Sequence, residues 1–471
     1  MEEYTVERFE PSRFVKSHQF MAGGQTIAFD SISEDCVFYG EDGKAEASIF
    51  SISYLRKDTD GKRPVMFFWN GGPGSATSTL HLECFGPWLI QTEEGKPRYG
   101  LVENPESLLE LCDLVFVDPV GVGYSRLLNP EKRGKYFSVD GDARSIAFFI
   151  AEWIRRNGRW NCPLYLCGES YGTVRACRVL AELGRSPYSE SRKVLGIQVA
   201  GVILIGSAIS MKPDGRLLED GIELVTAMMP AMAATNWYHH PEGKKPQAEF
   251  VEEAWNFAKT ELLSALFEGE DCPDERIAKD AKKLAEYTGM SEEYFRKTRL
   301  RLLSEQDFCV QTASDLGCRV DIYDSRVKIP LQADYNPVGN ADNVPLAVMN
   351  GLLAPRLGIA FNRLYYTGNL TVYPDWDFDT EDLGPGLKKT HMGCLKAAME
   401  ANPAMETLFA SGLYDLCTHV GNTRYALAHS GLPKERTIVR EYPGGHGVYS
   451  SEEGKTRLMQ DIRAMLERQG G

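Results

Sequence analysis

Leu164-Tyr165-Leu166-Cys167-Gly168-Glu169-Ser170-Tyr171-Gly172 runs straight into Thr173-Val174-Arg175-Ala176-Cys177-Arg178-Val179-Leu180-Ala181-Glu182. The first four residues read as a buried strand, the last ten as a helix, and a Gly-x-Ser-x-Gly turn joins them. The flanking glycines permit a turn tight enough to expose the serine oxygen. The helix N-terminus behind it adds partial positive charge where an oxyanion would form. Ser170 is therefore the candidate nucleophile. The five-residue motif alone occurs often by chance, and a serine there can simply cap a helix. Its strand–turn–helix context is what gives it weight.

Working outward, Val65-Met66-Phe67-Phe68-Trp69 is an apolar run that ends in Asn70-Gly71-Gly72-Pro73-Gly74-Ser75. An α/β-hydrolase takes one oxyanion N–H from such a loop and another from the residue after the nucleophile. Here those are the N–H groups of Gly72 and Tyr171. The same fold orders its triad as serine, acid, histidine. Downstream, Thr407 to Ser411 reads as a strand followed by Gly412 and Asp415, and Ile438 to Tyr442 as a strand followed by Gly444-Gly445-His446-Gly447. His446 alone among the histidines directly follows a late strand. His419 and His429 fall near a helical stretch, and His239 and His240 in a region of different rhythm. Asp415 would fix the tautomer of His446 and stabilise its charged form. The plain alternative is that Asp415 caps the helix after it.

The remaining pattern agrees. Thr26 to Ile32, Cys36 to Tyr39 and Ala45 to Tyr54 are β-rich runs separated by turn signals, which suggests an antiparallel sheet edge. Leu114 to Val117 and Val199 to Ile205 join the strands already named as short apolar runs. Ala143 to Arg156 carries Ile146, Phe149, Ile150, Trp153 and Ile154 at helical spacing. Alternation of this kind predicts an α/β protein with a mostly parallel, mixed central sheet flanked by helices. From 212 to 363 the sequence turns charged and helical, with Phe250, Ala254, Phe257 and Leu262 on one face. The expected organisation is a hydrolase core in two parts, 1–211 and 364–471, with an inserted helical cap at 212–363.

Composition narrows the function classes. The net charge of −14 over 471 residues removes any bulk attraction for nucleic acid or anionic lipid. No apolar run reaches the roughly 18 residues of a membrane span. The 11 cysteines are odd in number and show no close Cys-x-x-Cys pair, so buried reduced thiols are expected rather than a disulfide framework or a zinc site. The opening residues have neither a basic start nor an apolar stretch. A cytoplasmic protein is expected from the sequence as written, and a secreted one if a signal has been removed.

Taken together, the motifs resemble those of the serine carboxypeptidases, the family of carboxypeptidase Y. The resemblance runs from about Val65 to His446. It is carried by the Asn70-Gly-Gly-Pro-Gly74 loop, Gly86-Pro87, Asp118-Pro-Val-Gly-Val-Gly-Tyr-Ser125, Gly168-Glu-Ser-Tyr-Gly172, Gly412-x-x-Asp415 and Gly445-His446. It implies release of C-terminal amino acids from peptides through a Ser170, Asp415 and His446 triad, with no metal or organic cofactor. By position, Asn70 and Gly71 resemble residues that hold the substrate's terminal carboxylate, and Glu169 resembles a buried acid of the same network. A carboxyl group can recognise a carboxylate only when the two share a proton.

The sequence also departs from the family. A second Glu usually stands two residues before the Gly-Pro, where this chain has Cys84, with Glu83 one residue away. Either a one-residue shift brings Glu83 to the site or the acid pair is absent. Thr173 stands where a second glycine is common; this and Ser75-Ala76 look more like a bacterial branch. The peptide substrate is the expected partner, to a monomer or homodimer. An esterase or acyltransferase on the same scaffold remains the alternative. Tyr124 and Ser125 read equally as loop packing or a substrate contact. Met228-Met229 and Trp237-Tyr-His-His240 read as cap core more readily than as a specificity pocket.

Overall fold

A computed structural model of the chain describes residues 9–22, 25–57, 59, 61–92, 99–184, 195–209, 222–333, 343–380 and 390–469. The nine principal strands of the central sheet are β1 (Arg13–Ala22), β2 (Gln25–Tyr39), β3 (Ala45–Arg56), β4 (Val65–Trp69), β5 (Asp113–Asp118), β6 (Leu164–Glu169), β7 (Gly201–Ile205), β8 (Glu406–Gly412) and β9 (Thr437–Tyr442). Their order across the sheet is β1-β2-β3-β5-β4-β6-β7-β8-β9, and a short strand at Arg126–Leu127 adds to β3. The pairs from β5 onward are parallel, while β1, β2 and β3 are antiparallel to their neighbours.

The inner strands are unbroken apolar runs because both of their faces are covered. Successive side chains point to opposite faces, so each strand feeds two cores. Met66, Phe68, Leu114, Phe116, Cys167 and Ile203 enter one core, which the helix Glu452–Gln469 closes with Leu458, Met459 and Ile462. Val65, Phe67, Val115, Leu166 and Val202 enter the other, under α1 (Val139–Asn157) and α2 (Tyr171–Leu183). Helix α1 buries all five apolar residues that its spacing singled out. Ser138 Oγ caps its start by accepting from Gly141 N, and Gly158 at φ 67° ends it.

Two features that the sequence reading did not contain concern the edge and the region 212–363. The runs 26–32 and 36–39 form one continuous strand, and β1, absent from that reading, lies outside it. Strand β1 mixes Lys16, Ser17 and Gln19 with apolar residues on an exposed edge, so it carries little hydrophobic signal. The described residues between 212 and 363 pack in two places. Leu224, Met228, Phe250, Leu284 and Phe308 share a cap core with Tyr414 and Leu416, whereas Val348, Met349, Leu353 and Leu357 enter the main core.

The far end of that stretch is tied down by charge. Arg363 grips buried Asp35 of β2 with two bonds of 2.9 and 2.6 Å and also donates to Tyr124 O at 3.0 Å. Replacing Arg363 by alanine strands that carboxylate away from water and is expected to cost about 3–5 kcal/mol, read as a lower urea midpoint. A loss below about 1 kcal/mol would mean that solvent or another cation reaches Asp35.

Candidate active site

Strand β6 delivers Ser170 to the C-terminal rim of the sheet, and α2 leaves immediately after it. Ser170 sits at φ 57°, ψ −129°, a conformation that L-residues rarely adopt. Two glycines make this turn possible. A Cβ on Gly168 would stand 2.2 Å from Gly172 O, and one on Gly172 would meet Trp69 O at 2.9 Å. The turn is held from below by Ser170 N donating to Ile205 O at 2.9 Å. Thr173, the residue in place of a second glycine, donates its hydroxyl to Ser170 O at 2.7 Å.

The glycine loop after β4 lies directly against this turn. A Cβ on Gly71 would be 2.6 Å from Tyr171 N and 2.8 Å from Ser170 Cβ. Gly72 takes φ 101°. The N–H of Tyr171 opens α2 and has no partner within it. Arg175, one turn into α2 and fully buried, reaches back to Asn70 O at 2.6 Å while pairing with Asp142 of α1 at 2.6 Å. That guanidinium fixes the loop to the helix, and no motif in the sequence marked it.

Asp415 and His446 arrive on the loops after β8 and β9. These loops touch because Gly412 has no side chain: a Cβ there would lie 1.9 Å from Gly445 O. His446 Nδ1 bonds Asp415 Oδ2 at 2.9 Å. Asp415 also caps its own turn, since Oδ1 accepts from Cys417 N at 2.8 Å and Thr418 N at 2.9 Å. The sequence reading had set these two roles against each other, and the carboxylate has one oxygen for each. Thr418 Oγ1, which that reading did not single out, joins both groups, at 2.6 Å from Asp415 Oδ2 and 3.1 Å from His446 Nδ1. The ring lies beside the end of β7. Gly206, next to the carbonyl that holds Ser170 N, is so near that a Cβ would sit 3.3 Å from His446 Cε1. Among the described residues no hydrogen bond joins Ser170 Oγ to His446, a contact that commonly tightens only around substrate.

Electrostatics set the charge states. Burial opposes the imidazolium of His446, but Asp415, and Glu169 beyond it, raise its pKa to about 9. Burial likewise opposes the Asp415 carboxylate, yet His446 and Thr418 hold it below its usual value. Glu169 goes the other way: burial pushes its carboxyl upward against the pull of His446, Tyr449 and Asn70.

Of the residues expected around a substrate carboxylate, Asn70 and Glu169 meet, with Asn70 Nδ2 donating to Glu169 Oε1 at 3.0 Å. Glu83 lies close enough for its charge to act on Tyr449. Glu83 is exposed, and Cys84 beside it is buried in the main core. The other oxygen of Glu169 is bonded by Tyr449 Oη at 2.5 Å. Tyr124 is buried, and Ser125 Oγ bridges Asp118 O at 2.6 Å and Phe50 N at 2.7 Å, so both serve loop packing. Met228 and Met229 are fully buried in the cap core. All 11 cysteines are free. Among the described residues no cluster could hold a metal ion, and no helix is long and apolar enough to cross a membrane.

A mixed sheet with helices on both faces and a strained serine between strand and helix defines an α/β-hydrolase. Within that class the family model of the serine carboxypeptidases matches residues 37–294, more than half of the chain, and the chain belongs to this family. The match contains the glycine loop and the serine turn and ends before Asp415 and His446. Among solved structures, the prohormone-processing carboxypeptidase Kex1(delta)p of Saccharomyces cerevisiae is 13% identical. It aligns over 92% of this chain and 91% of its own with a TM-score of 0.57, a likeness of fold. A putative aryl esterase from Burkholderia cenocepacia is 14% identical over 92% of this chain and 99% of its own, with a TM-score of 0.33. No curated protein sequence matches the chain significantly.

Proposed function

We propose that the chain acts as a serine carboxypeptidase, releasing single amino acids from the free C-termini of peptides. The observation that carries this reading is the placement of Glu169. A buried carboxyl with a raised pKa, bonded to Asn70, lies one residue from the candidate nucleophile and against the glycine loop. A protonated acid there can share its proton with a carboxylate, which a general esterase has no need to do.

In this mechanism the terminal carboxylate docks on Asn70, Gly71 and Glu169. His446 takes the proton of Ser170 Oγ as that oxygen bonds to the last peptide carbonyl. Gly72 N–H and Tyr171 N–H stabilise the oxyanion, a contribution of about 2.7–4 kcal/mol for one such donor. The C–N bond then breaks and His446 gives its proton to the departing amine. Water, deprotonated by the same ring, releases the acyl group and restores Ser170. Asp415 orients the ring and stabilises its charge throughout.

Mass spectrometry of a peptide ladder tests the reading. Peptides with free C-termini are expected to lose single residues, while their C-terminal amides are cut at least 100-fold more slowly, on the order of the ~2–4 kcal/mol that an unmatched buried polar group costs. Equal trimming of both sets would defeat the carboxypeptidase reading and favour an esterase or acyltransferase.

A further inference from the structure

Tyr449 is three residues beyond His446, in the short helical turn Val448–Ser450. Nothing in the family resemblance singles it out, and the position where a second acid was expected is filled by buried Cys84. The turn packs on the helical segment Leu80–Phe85, the stretch that holds Glu83 and Cys84. Gly447 gives the ring its seat, since a Cβ there would meet Tyr449 Cζ at 3.1 Å. Folded under the His446 loop in this way, the buried tyrosine aims its hydroxyl at Glu169 Oε2, 2.5 Å away. Asn70 takes the other oxygen. Both carboxyl oxygens of Glu169 are thus engaged by neutral donors.

We propose that Tyr449 is a positioning residue that, through its bond to Glu169, sets the pH range in which the site accepts a free C-terminus. This rests on the reading of Glu169 as the carboxylate holder. A phenol differs from a second carboxyl in one decisive respect: burial and the neighbouring Glu169 keep its proton on well above pH 10. It therefore always donates, and a hydrogen bond donated to a carboxyl favours the ionised form. The other groups facing Glu169 are His446 and Asn70, which also favour its charge, and Asp415, which opposes it. Glu83, Cys84 and Cys167 complete the titratable surroundings of the pair. Among these, Tyr449 is a direct partner that can be removed without touching the nucleophile, the base or the acid.

The sign follows. Losing the hydroxyl makes the Glu169 carboxylate harder to form, so Glu169 keeps its proton to higher pH. In Tyr449→Phe the Glu169 titration, followed by carboxyl NMR and assigned with Glu169→Gln, is expected to move up by about one pH unit. KM for a free-C-terminus peptide, which rises as Glu169 loses its proton, is expected to shift its midpoint up by the same amount. A matched C-terminal ester, lacking the carboxylate, shows no such step in either protein. A merely structural tyrosine would lower the yield of active enzyme at every pH and leave the midpoint alone. An unmoved Glu169 titration overturns the inference. A moved titration with no matching KM shift keeps the Tyr449–Glu169 link but sinks Glu169 as carboxylate holder, and with it the pH role assigned to Tyr449.

Discussion

Ser170→Ala is expected to lower kcat for a free-C-terminus peptide on the order of 10⁴- to 10⁶-fold, with little change in peptide affinity. The substitution removes one oxygen and nothing else. Among the described residues Ser170 Oγ holds no hydrogen bond that keeps the fold together, while its backbone N–H and carbonyl stay bonded to Ile205 and Thr173. The strained backbone remains, because alanine is no more at ease than serine at φ 57°. Thermal stability should therefore stay close to that of the parent, which separates lost chemistry from lost structure. Labelling by a fluorophosphonate probe should vanish together with turnover. More than about one percent of parental kcat in the purified variant would exclude Ser170 as the nucleophile.

Asp415→Asn is the second large effect, with an expected loss in kcat of about 10⁴-fold near neutral pH. Asn keeps Oδ1 in place to accept from Cys417 N and Thr418 N, so the turn after β8 survives. The other atom becomes an NH₂ facing His446 Nδ1, where Oδ2 stood at 2.9 Å. A donor there favours the tautomer whose proton sits on Nε2, the nitrogen that must receive the proton of Ser170. The pH profile should move as well. Asp415 is the strongest influence raising His446, so its loss lets burial prevail, and the ascending limb of the profile, where His446 must lose its proton to act as base, should move to lower pH. A variant with less than a tenfold loss and an unmoved limb would show that Asp415 only caps its turn.

These two variants divide along the line between what is local and what is not. The strand–turn–helix from Leu164 to Glu182 was legible because period, glycines and apolar runs all act over a few residues. Strand β9 begins with the β-branched run Thr437–Val439, and α1 buries the face that its spacing marked. Strand β1 was not legible, because an exposed edge needs no apolar periodicity. Where the far part of the region 212–363 packs was not legible for a related reason. Val348, Met349, Leu353 and Leu357 form an ordinary apolar stripe, and a stripe does not say which core it will enter.

The site shows the same division. Ser170, Asp415 and His446 were singled out because each follows a strand within a few residues of a glycine, in the serine, acid, histidine order of the fold. Arg175 and Thr418 carried no such mark. An arginine in a helix reads as solvent-exposed until the tertiary structure buries it against Asn70 O and Asp142.

The amino-acid sequence by itself determined the elements, their parallel arrangement and the family, since hydrophobic period and turn chemistry are written in short stretches. Only the tertiary structure decided what faces Glu169. Glu83 and Tyr449 are both near in chain terms to their motifs, yet Glu83 is exposed while Tyr449 is buried under the His446 loop and bonded to Glu169. The choice between them depends on how two distant segments, Leu80–Phe85 and Val448–Ser450, settle against each other. No local preference encodes that, because it is fixed by close packing across the rim of the sheet.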